Sequence, residues 1–391
     1  VNRLKNFLYF STYLAFLFSF FSITIFEGFL LIAFFIAVIL FIKKPSLKIL
    51  NGQFSIPLLG HMGTITFSSI LFLRVKEQWR KLIEQDVFTF SYFIPNFLDK
   101  VQIENLIRNF IKVSPFLGII LSAKVWYTYC TTHTVKGFWG GNFIIGNLLA
   151  LPIFSTLFFL ITEKEFRKKI FWGAIFIGLT ASLVLPMERS IIIGFLGALL
   201  FFILLLYKGE ILNLKQFLTF ILICFLIIFL FIIKNPKIHY WWNVITNPKI
   251  SYQEKINTIS SGRIVIAKGA LQLIDNAIKQ HDYIKLFIGW GYGPQKQYKN
   301  LPGYWKNKID EYESFLPLTV FINGGLLGLI LVLWFYIALI KLSLKVLRAK
   351  SLQEGIFISA VWVNAIYHLF TLFWVPINAI FYIFLALVEK N

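Results

Sequence analysis

Arg189 lies in Leu185-Pro186-Met187-Glu188-Arg189-Ser190, where two long apolar runs meet with almost no connecting loop. A guanidinium there sits at the edge of an apolar layer or slightly inside it, a costly depth at which charges as a rule have a partner or a ligand. Its chemistry would be to grip an anion, since Arg stays cationic and donates in a fork that matches a phosphate. The plainer reading is pairing with Glu188 or a reach to lipid headgroups. Arg263 follows Ser260-Ser261-Gly262 and opens a stretch, to about Lys279, in which Ile264, Ala267, Leu271, Ile274 and Ile278 recur at helical spacing. A cation beside the positive end of a helix is slightly unfavourable, and a bound anion would reverse that sign. The plainer reading is a solvated Arg. Asp310, Glu311 and Glu313 crowd together just before the apolar run at 315 in a chain with 18 acidic residues. One of them could act as a general base, or all could favour a helix dipole.

Other side chains exclude chemistry. His61 and His368 fall within or near apolar runs, and His133, His239 and His281 fall outside them. None has His/Cys/Asp metal-ligand spacing, so no zinc site is expected. Gly289-Trp290-Gly291-Tyr292-Gly293-Pro294 lacks the Lys-Ser/Thr of a phosphate-binding loop and follows no strand, so no nucleotide site is expected. Its glycines allow positive φ or close backbone approach. No cofactor is expected, and any reaction must draw on an already activated substrate.

The elements that must position these groups follow from composition. The 391 residues are 58% hydrophobic, 18% aromatic and 14% charged. Apolar runs long enough to cross a bilayer recur without the alternation of barrel strands, which predicts an all-α integral membrane protein. About twelve transmembrane helices are expected, at roughly 7–25, 27–42, 54–73, 86–98, 105–126, 141–162, 170–187, 190–207, 216–233, 315–340, 354–373 and 375–389. Pro95 makes the fourth suspect as a continuous helix. The segments are thus 1–233 with nine spans, a large loop 234–314 containing amphipathic helices and many Tyr and Trp, and 315–391 with three spans. Lys and Arg in the short connections favour cytoplasmic N- and C-termini, which makes the loop non-cytoplasmic. The net charge of +20 clusters between apolar runs, a pattern for topology and membrane lipids and not for nucleic acid. Arg74, Lys76, Arg80 and Lys81, on the outer side of the third span, stand against the trend. The first run leads straight into a second without a small-residue cleavage site, as an anchor does.

The order of these features resembles the O-antigen ligase and polymerase family of bacterial inner-membrane glycosyltransferases. The residues that carry the resemblance are Gly137-Phe138-Trp139-Gly140-Gly141-Asn142 with Gly146 and Asn147, Thr180 to Arg189-Ser190, Ser261-Gly262-Arg263, the glycines 289, 291 and 293, and Gly325-Leu326-Leu327-Gly328. It covers roughly 120–389 and rests on order and spacing more than on any one motif. It implies a GT-C-like membrane fold in the bacterial inner (cytoplasmic) membrane with a periplasmic loop. It also implies transfer of a glycan from undecaprenyl diphosphate to a lipid A-core hydroxyl or a glycan acceptor. Arg189 and Arg263 would then stabilise the diphosphate and Glu313 would take the acceptor proton, with His281 or His239 as lesser choices. Arg74 and Arg80 would draw in anionic lipid substrates, and His281, Gly289, Gly291, Gly293 and Ser314 would contact substrate. One departure matters: where ligases of the family carry His-Asn, this chain has Glu313-Ser314-Phe315-Leu316, which keeps the polymerase reaction open. A transporter or flippase of lipid-linked sugars would instead show inverted repeats and ionisable residues mid-span. The sequence displays neither.

Overall fold

A computed structural model describes residues 2–45, 50–72, 76–186, 188–213, 236–260, 263–292, 316–369 and 376–391, with isolated positions between 215 and 233. The described residues are helical, without strands. In chain order the helices are α1 (Asn2–Phe18), α2 (Ile23–Lys43), α3 (Ser55–Phe72), α4 (Lys76–Phe90), α5 (Lys100–Thr132), α6 (Asn142–Thr162), α7 (Phe166–Val184) and α8 (Arg189–Lys208). Four short ones follow: α9 (Pro236–Thr246), α10 (Tyr252–Ile259), α11 (Arg263–Lys279) and α12 (Tyr283–Ile288). The last are α13 (Leu316–Ala349), α14 (Leu352–Leu369) and α15 (Asn378–Lys390).

Local chemistry sets several boundaries. Ser22 caps α2 by accepting from the Ile25 amide, and Asp99 and Gln102 form a capping box on α5, each satisfying amides that a helix start leaves unpaired. Six helices among the described residues are long and apolar enough to cross a bilayer: α2, α3, α5, α6, α8 and α13. The other expected spans are of different make. α1 has 17 residues and α15 has 13, α7 opens on Arg167, Lys168 and Lys169, and α14 carries Glu354, Asn364 and His368. Residues 216–233 lie largely outside the described ones. The expected helix at 86–98 is instead the end of α4 followed by a 3-10 helix, Ser91–Phe97. Pro95 accounts for the change, because its ring removes a backbone donor and disfavours α geometry before it.

Contacts define two ends of the bundle. At one, Lys5 pairs with Asp99, Lys350 with Glu210 (2.9 Å) and Asn391 with Glu354 (2.7 Å). At the other, the Trp139 indole donates to the Ser19 carbonyl (2.7 Å), and the α9–α12 helices settle on the ends of α3 and α8. α8 and α14 run antiparallel at close range. A Cβ on Gly194 would stand 2.6 Å from the Val363 carbonyl, and one on Gly355 would meet Leu205. Small residues let backbones approach where lipid supplies no hydrophobic drive between helices.

α13 is not one rod. Gly325 has φ 63° and ψ −160°, a region essentially reserved for glycine. The Val320 carbonyl lies 3.5 Å from where a Gly328 Cβ would be, far closer than eight residues of helix, about 12 Å, allow. Leu316 and Val320 pack on Val332. Residues 316–324 therefore fold back along the rest of α13 as a short antiparallel arm with Gly325 at its tip.

Candidate functional site

Arg189, the first residue of α8, is held by two of the short helices. Its Nη1 donates to the carbonyl of Ile259, the last residue of α10. Its guanidinium carbon stands 4.4 Å from the centre of the Trp241 ring on α9, a favourable cation–π distance. The Arg263 amide donates to the Ser260 carbonyl (3.1 Å), so α11 begins where α10 ends. Arg263 is half-buried and starts α11 four residues after the Ile259 carbonyl that Arg189 holds, while Glu188 precedes Arg189 in the chain. Among the described residues these two arginines stand at two helix starts, the kind of position that favours an anion. The structure thus brings together the two arginines singled out from sequence.

It separates others. His281 is exposed, at positive φ, and its Nδ1 meets the Tyr283 hydroxyl at 3.1 Å. The length of α11, roughly 24 Å at 1.5 Å per residue, lies between it and Arg263. Arg80 is an exposed α4 residue paired with Glu84 at 2.9 Å, not part of a loop. Arg74, Gly293, Asp310, Glu311, Glu313 and Ser314 lie outside the described residues, as do Ser261 and Gly262. Leu316, three residues after Glu313, is buried beside Leu369 at the end of α14.

Gly289 and Gly291 have φ of 83° and 86°, as the glycine spacing leads one to expect. Their surroundings are protein backbone. The Trp290 and Gly291 amides donate to the Ile322 and Asn323 carbonyls (2.8 and 3.2 Å) that the break in α13 releases. Ser68 Oγ also donates to the Asn323 carbonyl (3.1 Å), and the Tyr292 amide donates to Ser69 Oγ (2.9 Å). A Cβ on Gly289 would sit 2.5 Å from the Asn323 carbonyl group, and one on Gly325 would sit 2.4 Å from that of Phe287. Trp290 is buried with Ala270, Leu273 and Ala277 of α11. The glycines thus clamp α11 and α12 to the folded-back arm of α13 and to α3.

A buried polar network escaped the sequence reading. Asn364 Nδ2 on α14 donates to Asn147 Oδ1 on α6 and to Asn378 Oδ1 on α15, both at 3.1 Å. The His368 Nε2 lies 2.7 Å from the same Asn378 oxygen. A cavity of about 20 Å³ beside Asn364, His368 and Asn378 has room for one water. Because Gly194 meets Val363 and Leu205 meets Gly355, the α8–α14 register sets His368 level with Arg189. The available signal was an amide or imidazole inside an apolar run, which lipid tolerates only with partners. Thr66 and Asp86, joined at 3.0 Å between α3 and α4, form a second such pair. Among the described residues no three of His, Cys, Asp and Glu gather as metal ligands would.

No protein-family model matches the chain. A protein of Aquifex aeolicus (strain VF5), described as an uncharacterized protein, is similar to it, with 26% identity over 365 residues that cover 91% of this chain and 90% of the relative. The likeness therefore embraces spans and short helices together and carries no statement of activity.

Proposed function

We propose that the chain is a glycosyltransferase of the O-antigen ligase kind. It would move a glycan from undecaprenyl diphosphate to a lipid A-core hydroxyl at the periplasmic face of a bacterial inner membrane. The reading includes about twelve passes, with both termini cytoplasmic and 234–314 periplasmic, as the distribution of Lys and Arg favours. The observation that supports it most is that Arg189, at the start of α8, holds the Ile259 carbonyl four residues before Arg263 starts α11, at the end of the bundle where α9–α12 lie.

In this mechanism the acceptor oxygen attacks the anomeric carbon of the donor sugar. The bond from that carbon to the diphosphate oxygen breaks, and undecaprenyl diphosphate leaves with the electron pair. Arg189 and Arg263 stabilise the charge growing on the leaving group, where aimed donors are worth most. Glu313 takes the acceptor proton. Polymerisation, in which the acceptor is another lipid-linked glycan, is the second reading, favoured by Glu313-Ser314 where ligases carry His-Asn.

Proteoliposomes given the polyprenyl-diphosphate glycan and lipid A-core test the reading. Transfer is expected, and Arg189→Ala and Arg263→Ala should each lower its rate about 10²- to 10³-fold with unchanged insertion. Full activity in both variants sinks the mechanism. Glycan that lengthens on the polyprenyl carrier without lipid A-core identifies a polymerase.

A further inference from the structure

α11 exposes more apolar surface than a helix at a boundary between protein and water has reason to. It buries Ala270, Leu273 and Ala277. A second stripe, Ile264, Leu271 and Ile278, is 42%, 56% and 54% exposed. At about 100° per residue this stripe is centred roughly 130° around the helix from the buried one. Ala267 and Ile274, half-buried, fill the arc between them. Among residues whose side chains are described, Lys268, Gln272, Asp275, Asn276 and Lys279 are the exposed ones in the remaining arc. α11 thus has three sectors: one covered by protein, one apolar and uncovered, one polar. α12 adds Tyr283, Ile284 and Phe287, which are 66%, 61% and 54% exposed.

We infer that α11 and α12 lie in the plane of the bilayer surface, with the uncovered apolar stripe in the acyl region of one leaflet. Lipid, and not a second copy, is the occupant because this surface continues faces that bilayer-length helices already expose. The Phe287 carbonyl group touches Gly325, and the next residue, Leu326, begins an exposed row through Ile330 and Leu333 on α13. On the other side the Lys285 ammonium lies 5.5 Å from the ring of Phe72, at the end of α3, whose Ile70 and Leu71 are exposed too. Three sectors suit an in-plane helix, which meets protein at its side, acyl chains below and water above. Asp275 stands next to the stripe and pairs with Lys279 at 2.6 Å, and Lys268, the next residue around the helix, has a stem long enough to carry its charge to headgroups. The glycine clamp joins this unit to the tip of α13, so the bilayer also fixes the depth of Arg263. On the transferase reading, that depth is where a lipid-linked diphosphate lies.

The test uses the full chain with Cys130→Ser and Cys224→Ser, bearing one new cysteine at a time and a nitroxide label, in proteoliposomes. Leu271→Cys, Ile278→Cys and Ile284→Cys report on the apolar surface, and Lys268→Cys and Asp275→Cys on the polar arc. Collision with oxygen should exceed collision with an aqueous nickel chelate several-fold at the first three sites, and the order should reverse at the other two. Equal nickel access at Leu271 and Lys268 overturns the inference. So does shielding from both reagents with spin–spin broadening, the mark of a second copy. Three independent apolar sites keep the result decisive if one variant fails to insert. A protein that shows this pattern without glycan transfer retains the lipid surface and loses only the transferase reading.

Discussion

Arg189 has a structural task that can be measured apart from any reaction. Its bond to the Ile259 carbonyl and its contact with Trp241 tie α9 and α10 to the start of α8. A hydrogen bond from a charged donor and a cation–π contact are together worth roughly 2 kcal/mol or more, about thirtyfold in a local opening equilibrium. Arg189→Ala should therefore speed amide hydrogen exchange in 252–259 by at least that factor while leaving α5 and α6 unchanged. Trp241→Ala should give a smaller increase, and unaltered exchange in both would show that the contacts hold nothing. Gly325 makes a sharper case, since a side chain there meets both a forbidden φ and the Phe287 carbonyl group. Gly325→Ala should cost about 3 kcal/mol or more, read as a lower unfolding midpoint in detergent. Gly63→Ala, on α3 with nothing near its Cβ position, should be neutral or stabilising by about 0.5–1 kcal/mol. Positive φ at Gly289 and Gly291 was legible in their spacing. Their partners were not, because Ile322, Asn323 and Ser69 lie far away along the chain and hydrogen-bond through backbone or a lone hydroxyl that no pattern marks.

At the scale of elements, α11 was legible from residue periodicity down to its first residue, Arg263, and the bilayer-length helices from their apolar runs. The reversal in α13 was not. A run such as 315–340 has one hydropathy signature whether it crosses straight or folds back, and Gly324-Gly325 inside it equally suits close helix packing. Only the released Ile322 and Asn323 carbonyls, and the amides that find them, distinguish the two. The asparagine network carries an element-scale prediction of its own. Asn364 bridges α6 and α15 from α14, and Asn364→Leu would leave two buried amide oxygens without that donor. Interhelical hydrogen bonds among apolar helices average somewhat under 1 kcal/mol and reach about 2, so the paired loss should be about 1–2 kcal/mol. Equilibrium unfolding of the purified protein in detergent measures it. A variant as stable as the parent would mean that helix packing alone, as at Gly194 and Val363, joins α14 to its neighbours.

For the whole molecule, the question is how a chain whose helices alternate between two ends sits across a bilayer. Among the described residues six helices carry enough apolar length on their own. α15 is shorter, and it comes to apolar surroundings through neighbours, with nearly every side chain buried. Hydropathy alone undercounts such helices, because a segment enclosed by protein need not be apolar enough to face lipid. The contacts bear on the count in another way. Ion pairs such as Lys350–Glu210 gather at one end, while Arg189, Trp241 and the α9–α12 helices gather at the other. On the proposed reading the first end, whose short connections carry Lys168, Lys169 and Lys350, is the cytoplasmic one, as the positive-inside rule favours. A cysteine at Glu254, on exposed α10, should then react with a membrane-impermeant thiol reagent in intact spheroplasts. Cysteines at Lys169 and Lys350 should react only after permeabilisation. The background again needs Cys130→Ser, since Cys130 is exposed near the end of α5 that lies with the loop. Reaction at Glu254 and Lys350 alike in sealed cells would put both ends of the bundle on one side, which no odd number of passes between them can accommodate and which would overturn the single crossing by α13 that the transferase reading requires. Reaction at Lys350 alone would invert the protein, and Arg189 and Arg263 would then face the cytoplasm, where a lipid-linked glycan awaiting transfer to lipid A-core is not found.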